Sequence, residues 1–255
     1  MEPIHTRPAL SFEHDGEKYL VVADLHIGIE HEISSRGVHV PSQTMAMASL
    51  LVSLGEEVCA KKLVIVGDAK HNLPRMSDQE RYEVPRFFRT LEMQFERVDI
   101  ARGNHDGGLD YLAPEWTTIH PASGFKIGDF GFCHGHSWPS EAVFASKTLV
   151  VAHGHPTALF VDGIGRRATE KCWVRGKAAK SERYSDRPGS FVLIPAMHPY
   201  CGGTPVNERG RGILGPLFKG DVLDYLNSEI YLLDGTRLGK LKSNMVEPRK
   251  FRPRR

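Results

Sequence analysis

The sequence predicts an α/β fold of two sheets flanked by helices, and three observations carry that prediction. In the first half, short apolar runs alternate with amphipathic stretches at intervals of about 35 to 45 residues, the length of a βαβ unit. From residue 117 onward, short β-like runs dominate. Five polar clusters sit at the ends of apolar runs: Asp24-Leu25-His26, Gly67-Asp68, Gly103-Asn104-His105-Asp106, His134-Gly135-His136 and Ala152-His153-Gly154-His155. Open α/β sheets gather their ligands at the carboxyl ends of strands, so one sheet edge can collect all five.

Taken in order, the elements begin with a hairpin-like pair at residues 8–12 and 19–23. Pro41-Ser42 opens a helix over 42–59 with Ser42 as its cap. Residues 63–66 form a buried strand. A second helix is predicted over 77–95, with Ser77 capping and Glu80 at capping-box spacing. Pro85 falls inside it and should kink or divide it. The strand 98–101 follows, and Gly107-Gly108 breaks the chain. The later β-like runs are 117–120, 124–127, 130–134, 149–152, 159–161, 191–194 and 230–233. A single domain is expected over 1–245, with a flexible basic tail over 246–255.

A chain of 255 residues can bury a large core as one domain. No apolar run approaches the roughly 20 residues that span a bilayer, and Met1-Glu2-Pro3-Ile4-His5 lacks a signal-peptide core. No membrane association and a cytoplasmic location are therefore expected. Cys59, Cys133, Cys172 and Cys201 show no paired spacing and are expected reduced, mostly as small core residues. The formal charge of +2 hides five positive charges in the last seven residues, leaving the rest with 28 basic against 31 acidic residues. A second basic stretch runs from Arg166 to Arg187. Each could meet a nucleic-acid backbone by counterion release, or be an ordinary solvated segment.

The clusters offer carboxylates and imidazoles. In an extended segment residues i and i+2 project to one side, so Asp24 and His26 reach one ion, as do His153 and His155. Such a donor set suits Mn, Fe, Zn, Co or Ni better than calcium.

These residues resemble the calcineurin-like metallophosphoesterases, whose pattern D-x-H, G-D, G-N-H-[DE], H and G-H-x-H is met in order between about residues 19 and 155, with Ala152 where glycine is usual. More narrowly, Gly67 to His71, Gly103 to Gly108, His153 to Pro156 and Tyr231 to Thr236 look like archaeal SbcD-related phosphoesterases. The resemblance implies a four-layer αββα sandwich of two mixed sheets. It implies two divalent ions, manganese foremost, with Asp24, His26, Asp68 and His155 holding one. Asp68, Asn104, His134 and His153 would hold the other, so that Asp68 bridges. It further implies hydrolysis of a phosphoester by a hydroxide held on the ions, with His105 as acid. Asp106 orients His105 or caps the turn at Gly107; both stay open.

His71, His136 and His198 are candidates for substrate contact or for support of the ligands. His5, His14, His31, His39 and His120 are expected at the surface, and Trp116, Trp138 and Trp173 in packing roles. A phosphodiester substrate, nucleic acid included, leads; a small-molecule phosphomonoester is the alternative. Gly67-Asp68-Ala69-Lys70-His71-Asn72-Leu73 departs from the protein-phosphatase pattern Gly-Asp-x-x-Asp-Arg-Gly. An interaction scaffold without turnover is the reading of another class; a retromer subunit shares the fold, but such relatives tend to lose the histidine kept here as His105. Oligomeric state is not legible.

Overall fold

The structure is a computed structural model that describes residues 1–179, 181–219 and 222–248. Among these, the first sheet runs in chain order: β1 (Glu2–Pro3), β2 (Leu10–His14), β3 (Glu17–Val22), β4 (Lys62–Ile65), β5 (Arg97–Ala101) and β6 (Thr117–His120). β1 to β3 pair antiparallel, and β3 to β6 parallel. The second sheet holds β7 (Phe125–Ile127), β8 (Phe130–Cys133), β9 (Thr148–Val151), β10 (Pro156–Val161), β11 (Arg167–Gly176), β12 (Ser190–Leu193), β13 (Thr204–Pro205), β14 (Glu229–Leu232) and β15 (Arg237–Lys240). Its order is β13-β10-β11-β12-β9-β8-β7, with β14 on β11 and β15 on β14. The helices are α1 (Ile29–Ser35), α2 (Thr44–Glu57), α3 (Asp78–Leu91), α4 (Glu141–Phe144) and α5 (Pro216–Lys219).

Strand alternation builds the layers. In β3, Leu20 and Val22 pack with Met47, Leu51 and Leu54 of α2 and with Val84, Phe87 and Phe88 of α3. Their neighbours Tyr19 and Val21 face the second sheet, where Phe132, Val150, Trp173 and Val192 meet them. The far side of that sheet, through Leu149, Val151, Val174 and Phe191, packs on Val143 and Phe144 of α4 and Leu217 of α5. Four layers result, helix on sheet on sheet on helix. Strands buried on both faces read as unbroken apolar runs, as in Leu20-Val21-Val22-Ala23.

Register levels the strand ends that carry the clusters. Val22 pairs with Ile65 and Ile65 with Ile100, while Cys133 pairs with Val151. All five clusters therefore leave their sheets at one edge.

Several local expectations change. α1 lies in a stretch too short and polar to show a helical period. α2 starts at Thr44 with Gln43 as cap, and the Ser42 hydroxyl accepts from the Thr44 amide at 3.3 Å from one position further out. The capping box of α3 forms, but the helix ends at Leu91. Pro85 does not divide it: the carbonyl it deprives of a partner belongs to exposed Arg81, where water can reach. The basic stretch is no single charged face, because Lys171 turns inward and Arg167 pairs with Glu208 at 2.6 Å. Within the expected tail, Val246 bridges Glu208; residues 249–255 lie outside the described ones. Cys59 is exposed and Cys201 only half-buried. His120 is no surface residue: it bonds Asp99 at 2.7 Å and stacks on Phe125. No helix among the described residues is long and apolar enough to cross a membrane.

Candidate metal centre

The clusters do not extend their strands. Asp24 (φ 53°), His26 (φ 42°), Asp68 (φ 50°), His153 (φ 67°) and His155 (φ 39°) all adopt left-handed backbone. The expectation that i and i+2 converge because the segment is extended is thus corrected: they converge through kinked turns after the strands end. Left-handed backbone costs a non-glycine residue about 1 kcal/mol or more and persists where the surroundings over-determine it. Here the amides of Asp24, His26 and Ile27 bond the carbonyls of Gly67, Asp68 and Ala69 at 2.8–3.1 Å. Glycine is needed at two places for close approach. A Cβ on Gly67 would stand 2.2 Å from His134 Nδ1, and one on Gly103 would stand 2.1 Å from Asp68 Oδ1.

Two donor groups share one carboxylate: Asp24, His26 and Asp68 form one, and Asp68, His134 and His153 the other. Asp68 Oδ2 lies 3.6 Å from His26 Nε2 and 3.2 Å from His134 Nε2. His155 Nε2 joins the first group, 3.3 Å from His26 Nε2 and 3.4 Å from Asp24 Oδ1. Asn104 stays exposed, and its amide makes no side-chain hydrogen bond among the described residues.

Hydrogen bonds set which ring nitrogen faces inward. His134 Nδ1–H donates to the Val66 carbonyl at 3.0 Å, and His155 Nδ1–H to the Gly202 carbonyl at 3.1 Å. His71 Nε2–H donates to Glu32 at 2.5 Å, so His71 Nδ1 is free to accept from His26 Nδ1–H at 3.0 Å. His134, His155 and His26 thereby each turn Nε2 to the centre, the arrangement that outer partners impose on ligating histidines.

Charge agrees with a cation site. Burial pushes His26 down to about 3, against the pull of Asp68 and Asp24. Burial likewise lowers His153 and His136 to about 4, aided by His134, so all three are neutral donors. Burial opposes ionisation of Asp24 and Asp68, but His155 and His134 outweigh it and hold both carboxyls below their usual range. In return, and against burial, Asp68 and Asp24 raise His134 to about 9. Without an ion, protons on histidine balance the carboxylates; a divalent cation replaces those protons. The fit is direct: both oxygens of Asp24 and Nε2 of His134 are buried without a hydrogen-bond partner, a costly state for polar groups.

Asp106 meets neither of its two readings, orienting His105 or capping the turn at Gly107. Its buried carboxylate accepts from the amides of Gly103 (2.7 Å), Ala69 (2.8 Å) and Asp68 (3.0 Å) and does not bond the His105 ring. It ties the Gly-Asp turn to the Gly-Asn-His-Asp turn. Burial, reinforced by Asp68, raises its pKa above the ordinary value. The His105 amide donates to Asp68 Oδ1 at 2.8 Å, and its ring stacks on His71 and meets His26 edge-on. His136 packs near His134 and His153 with its buried Nδ1 unpartnered. His198 is fully buried behind the centre, facing Glu30 at 3.4 Å and taking the Tyr200 amide on Nδ1.

Four supports were not legible beforehand. Glu32 sits on the unpredicted α1. Lys70 and Glu80 form a buried pair at 3.8 Å, and Glu80 also accepts from the amides of His71 and Asn72. Lys171 bonds the carbonyls of Ala196 and His198. Cys201, read as a small core residue, groups instead with His26 and His155. It follows β12 in a polar turn, Met197-His198-Pro199-Tyr200-Cys201, that repeats the cluster-after-strand pattern and was the available signal.

Two of these carry predictions. Glu80→Ala removes the carboxylate beside buried Lys70, whose Nζ keeps only the Asn72 carbonyl at 2.7 Å, and frees the amides of Ser77, His71 and Asn72, so urea unfolding should show a loss of about 3–5 kcal/mol; an unchanged midpoint would remove the pair from the account. His71→Ala releases the His26 ring, and competition with a chelator should show metal affinity weakened about 10- to 100-fold; wild-type affinity would refute the relay from Glu32.

No protein-family model matches the sequence, and no curated protein matches it. Solved structures do. Nuclease MPE from Pseudomonas putida aligns at 18% identity over 88% of this chain and 95% of its own, with a TM-score of 0.50. The phosphoesterase Yfce from E. coli aligns at 16% identity over 87% and 97%, with a TM-score of 0.42. A single mutant of Vps29 from Entamoeba histolytica aligns at 14% over 72% and 77%, with a TM-score of 0.32. The likeness to the first, with the layer order, gives the chain the fold of that nuclease, two mixed sheets flanked by helices.

Proposed function

We propose that the chain is a metal-dependent phosphoric ester hydrolase acting on a phosphodiester, a nucleic acid or nucleotide among the candidates. The observation that carries it is the sharing of Asp68 between two donor groups beside the unpartnered, buried carboxylate of Asp24. Two divalent ions there would polarise the phosphoryl oxygens and make water a competent nucleophile at neutral pH. Asp24, His26, Asp68 and His155 would hold one ion; Asp68, Asn104, His134 and His153 the other. The donor chemistry fits manganese, and equally iron, zinc, cobalt or nickel.

His105 serves as the acid. Its Nδ1 lies against the His71 carbonyl and donates there, which leaves Nε2 as the nitrogen through which a proton would pass to the leaving oxygen. Asp106 keeps the two turns together, and His71 keeps His26 in register. A cleft of about 730 Å³ is lined by Thr157, Lys171, Cys201 and Gly202, the last of which accepts from His155 Nδ1. Exposed Leu73 and Tyr111 flank the turn at Gly107 and Gly108 that follows His105.

The test is metal analysis followed by a manganese-supplemented panel: a chromogenic monoester, a chromogenic diester, cyclic nucleotides, and single- and double-stranded DNA. Diester preference with salt-sensitive DNA cleavage supports a nuclease. Strong monoester preference without DNA binding replaces it with a small-molecule phosphatase. Metal binding without turnover of any ester leaves the scaffold.

A further inference from the structure

The polar turn after β12 supplies a donor that the five clusters do not account for. Cys201 Sγ and ring nitrogens of His26 and His155 all lie within 4.8 Å of one another. The two imidazole Nε2 atoms stand 3.3 Å apart, and the unpartnered carboxylate of Asp24 reaches to within 3.4 Å of His155. A tetrahedral ion with bonds of about 2.3 Å to sulfur and about 2.0–2.1 Å to nitrogen sets those donors about 3.5 Å apart.

The turn that presents the thiol is clamped from three sides. The amides of Met197 and His198 donate to the carbonyls of Ala23 and Asp24, at the end of β3. Lys171 Nζ bonds the carbonyls of Ala196 and His198. Beyond the cysteine, Gly202 accepts from His155 Nδ1 and the Thr204 amide donates to the His155 carbonyl. Cys201 is thus held between the two strand ends that carry Asp24, His26 and His155. It also lines the cleft of about 730 Å³. Cys133 and Cys172, by contrast, lie in the apolar layer on the outer face of the second sheet.

We infer that Cys201 is a further ligand on the His26 and His155 side of the centre, so that this position prefers a thiophilic ion of the zinc, cadmium or cobalt class over manganese. It rests on the metal centre proposed above and adds sulfur to its donors. On binding, the S–H bond breaks, a metal–sulfur bond forms and the proton leaves to solvent. Soft thiolate is what separates zinc-like ions from manganese when nitrogen and oxygen donors are otherwise alike.

Cobalt titration of the metal-free protein tests this apart from activity. The wild type should show visible d–d bands together with a near-ultraviolet thiolate-to-cobalt charge-transfer band. Cys201→Ser should keep the former and lose the latter, while Cys59→Ser, an exposed control, keeps both. Cadmium affinity should fall about 10-fold or more in Cys201→Ser, with manganese affinity unchanged. If d–d bands form in the wild type without the charge-transfer band, or if cadmium and manganese affinities move together, the sulfur ligand is wrong and the centre stands. If no d–d bands form at all, the centre itself falls, and the thiolate with it.

Discussion

Asp68→Asn is expected to leave at most one ion per chain and to lower phosphoester hydrolysis by more than about 10³-fold. The substitution keeps shape and keeps an oxygen to accept the His105 amide, now bonded to Oδ1 at 2.8 Å. What it removes is the charge and the second equivalent oxygen. Oδ2 stands 3.6 Å from His26 Nε2 and 3.2 Å from His134 Nε2, between the two donor groups. A neutral amide offers one oxygen and cannot hold two cations together. Metal analysis with circular dichroism separates the site from the fold: an intact spectrum with two ions still bound would remove the shared carboxylate from the account.

His105→Ala is expected to keep both ions while activity falls about 10²- to 10⁴-fold. The loss should depend on the leaving group. An ester of a poor leaving alcohol needs its oxygen protonated as the bond breaks, whereas a nitrophenolate departs without help. The variant should therefore be impaired far more on the former. The His105 ring groups with His26 and His71 and lies outside the two donor groups that share Asp68, so metal analysis of the variant is read beside its activity. Equal turnover of both esters by variant and wild type would end the acid assignment.

Much of this was legible because the relevant signals are local. Leu20-Val21-Val22-Ala23 announces a strand buried on both faces, and Ser77 with Glu80 announces a helix start that forms as expected. The polar clusters mark strand ends because ligand side chains there interrupt an apolar run. The failures are equally instructive. α1 was missed because its seven residues are too few to display a period, although Glu32 and Glu30 on it support His71 and face His198. Asp106 could not be placed from sequence, since its partners are amides at Gly103 and, more than thirty residues away, at Asp68 and Ala69. Cys201 looked like a spare core residue because its two histidine neighbours are 46 and 175 residues distant in the chain.

The sequence by itself determined the layer class, the edge at which the clusters emerge and the candidate donors, because apolar periodicity and ligand type are properties of neighbouring residues. Only the tertiary structure decided that the donors converge through left-handed turns and that each inner Nε2 faces the centre because of a bond at the opposite nitrogen. Those outcomes depend on which carbonyl, carboxylate or thiol from a distant segment arrives against each ring, and that is set by sheet register and packing.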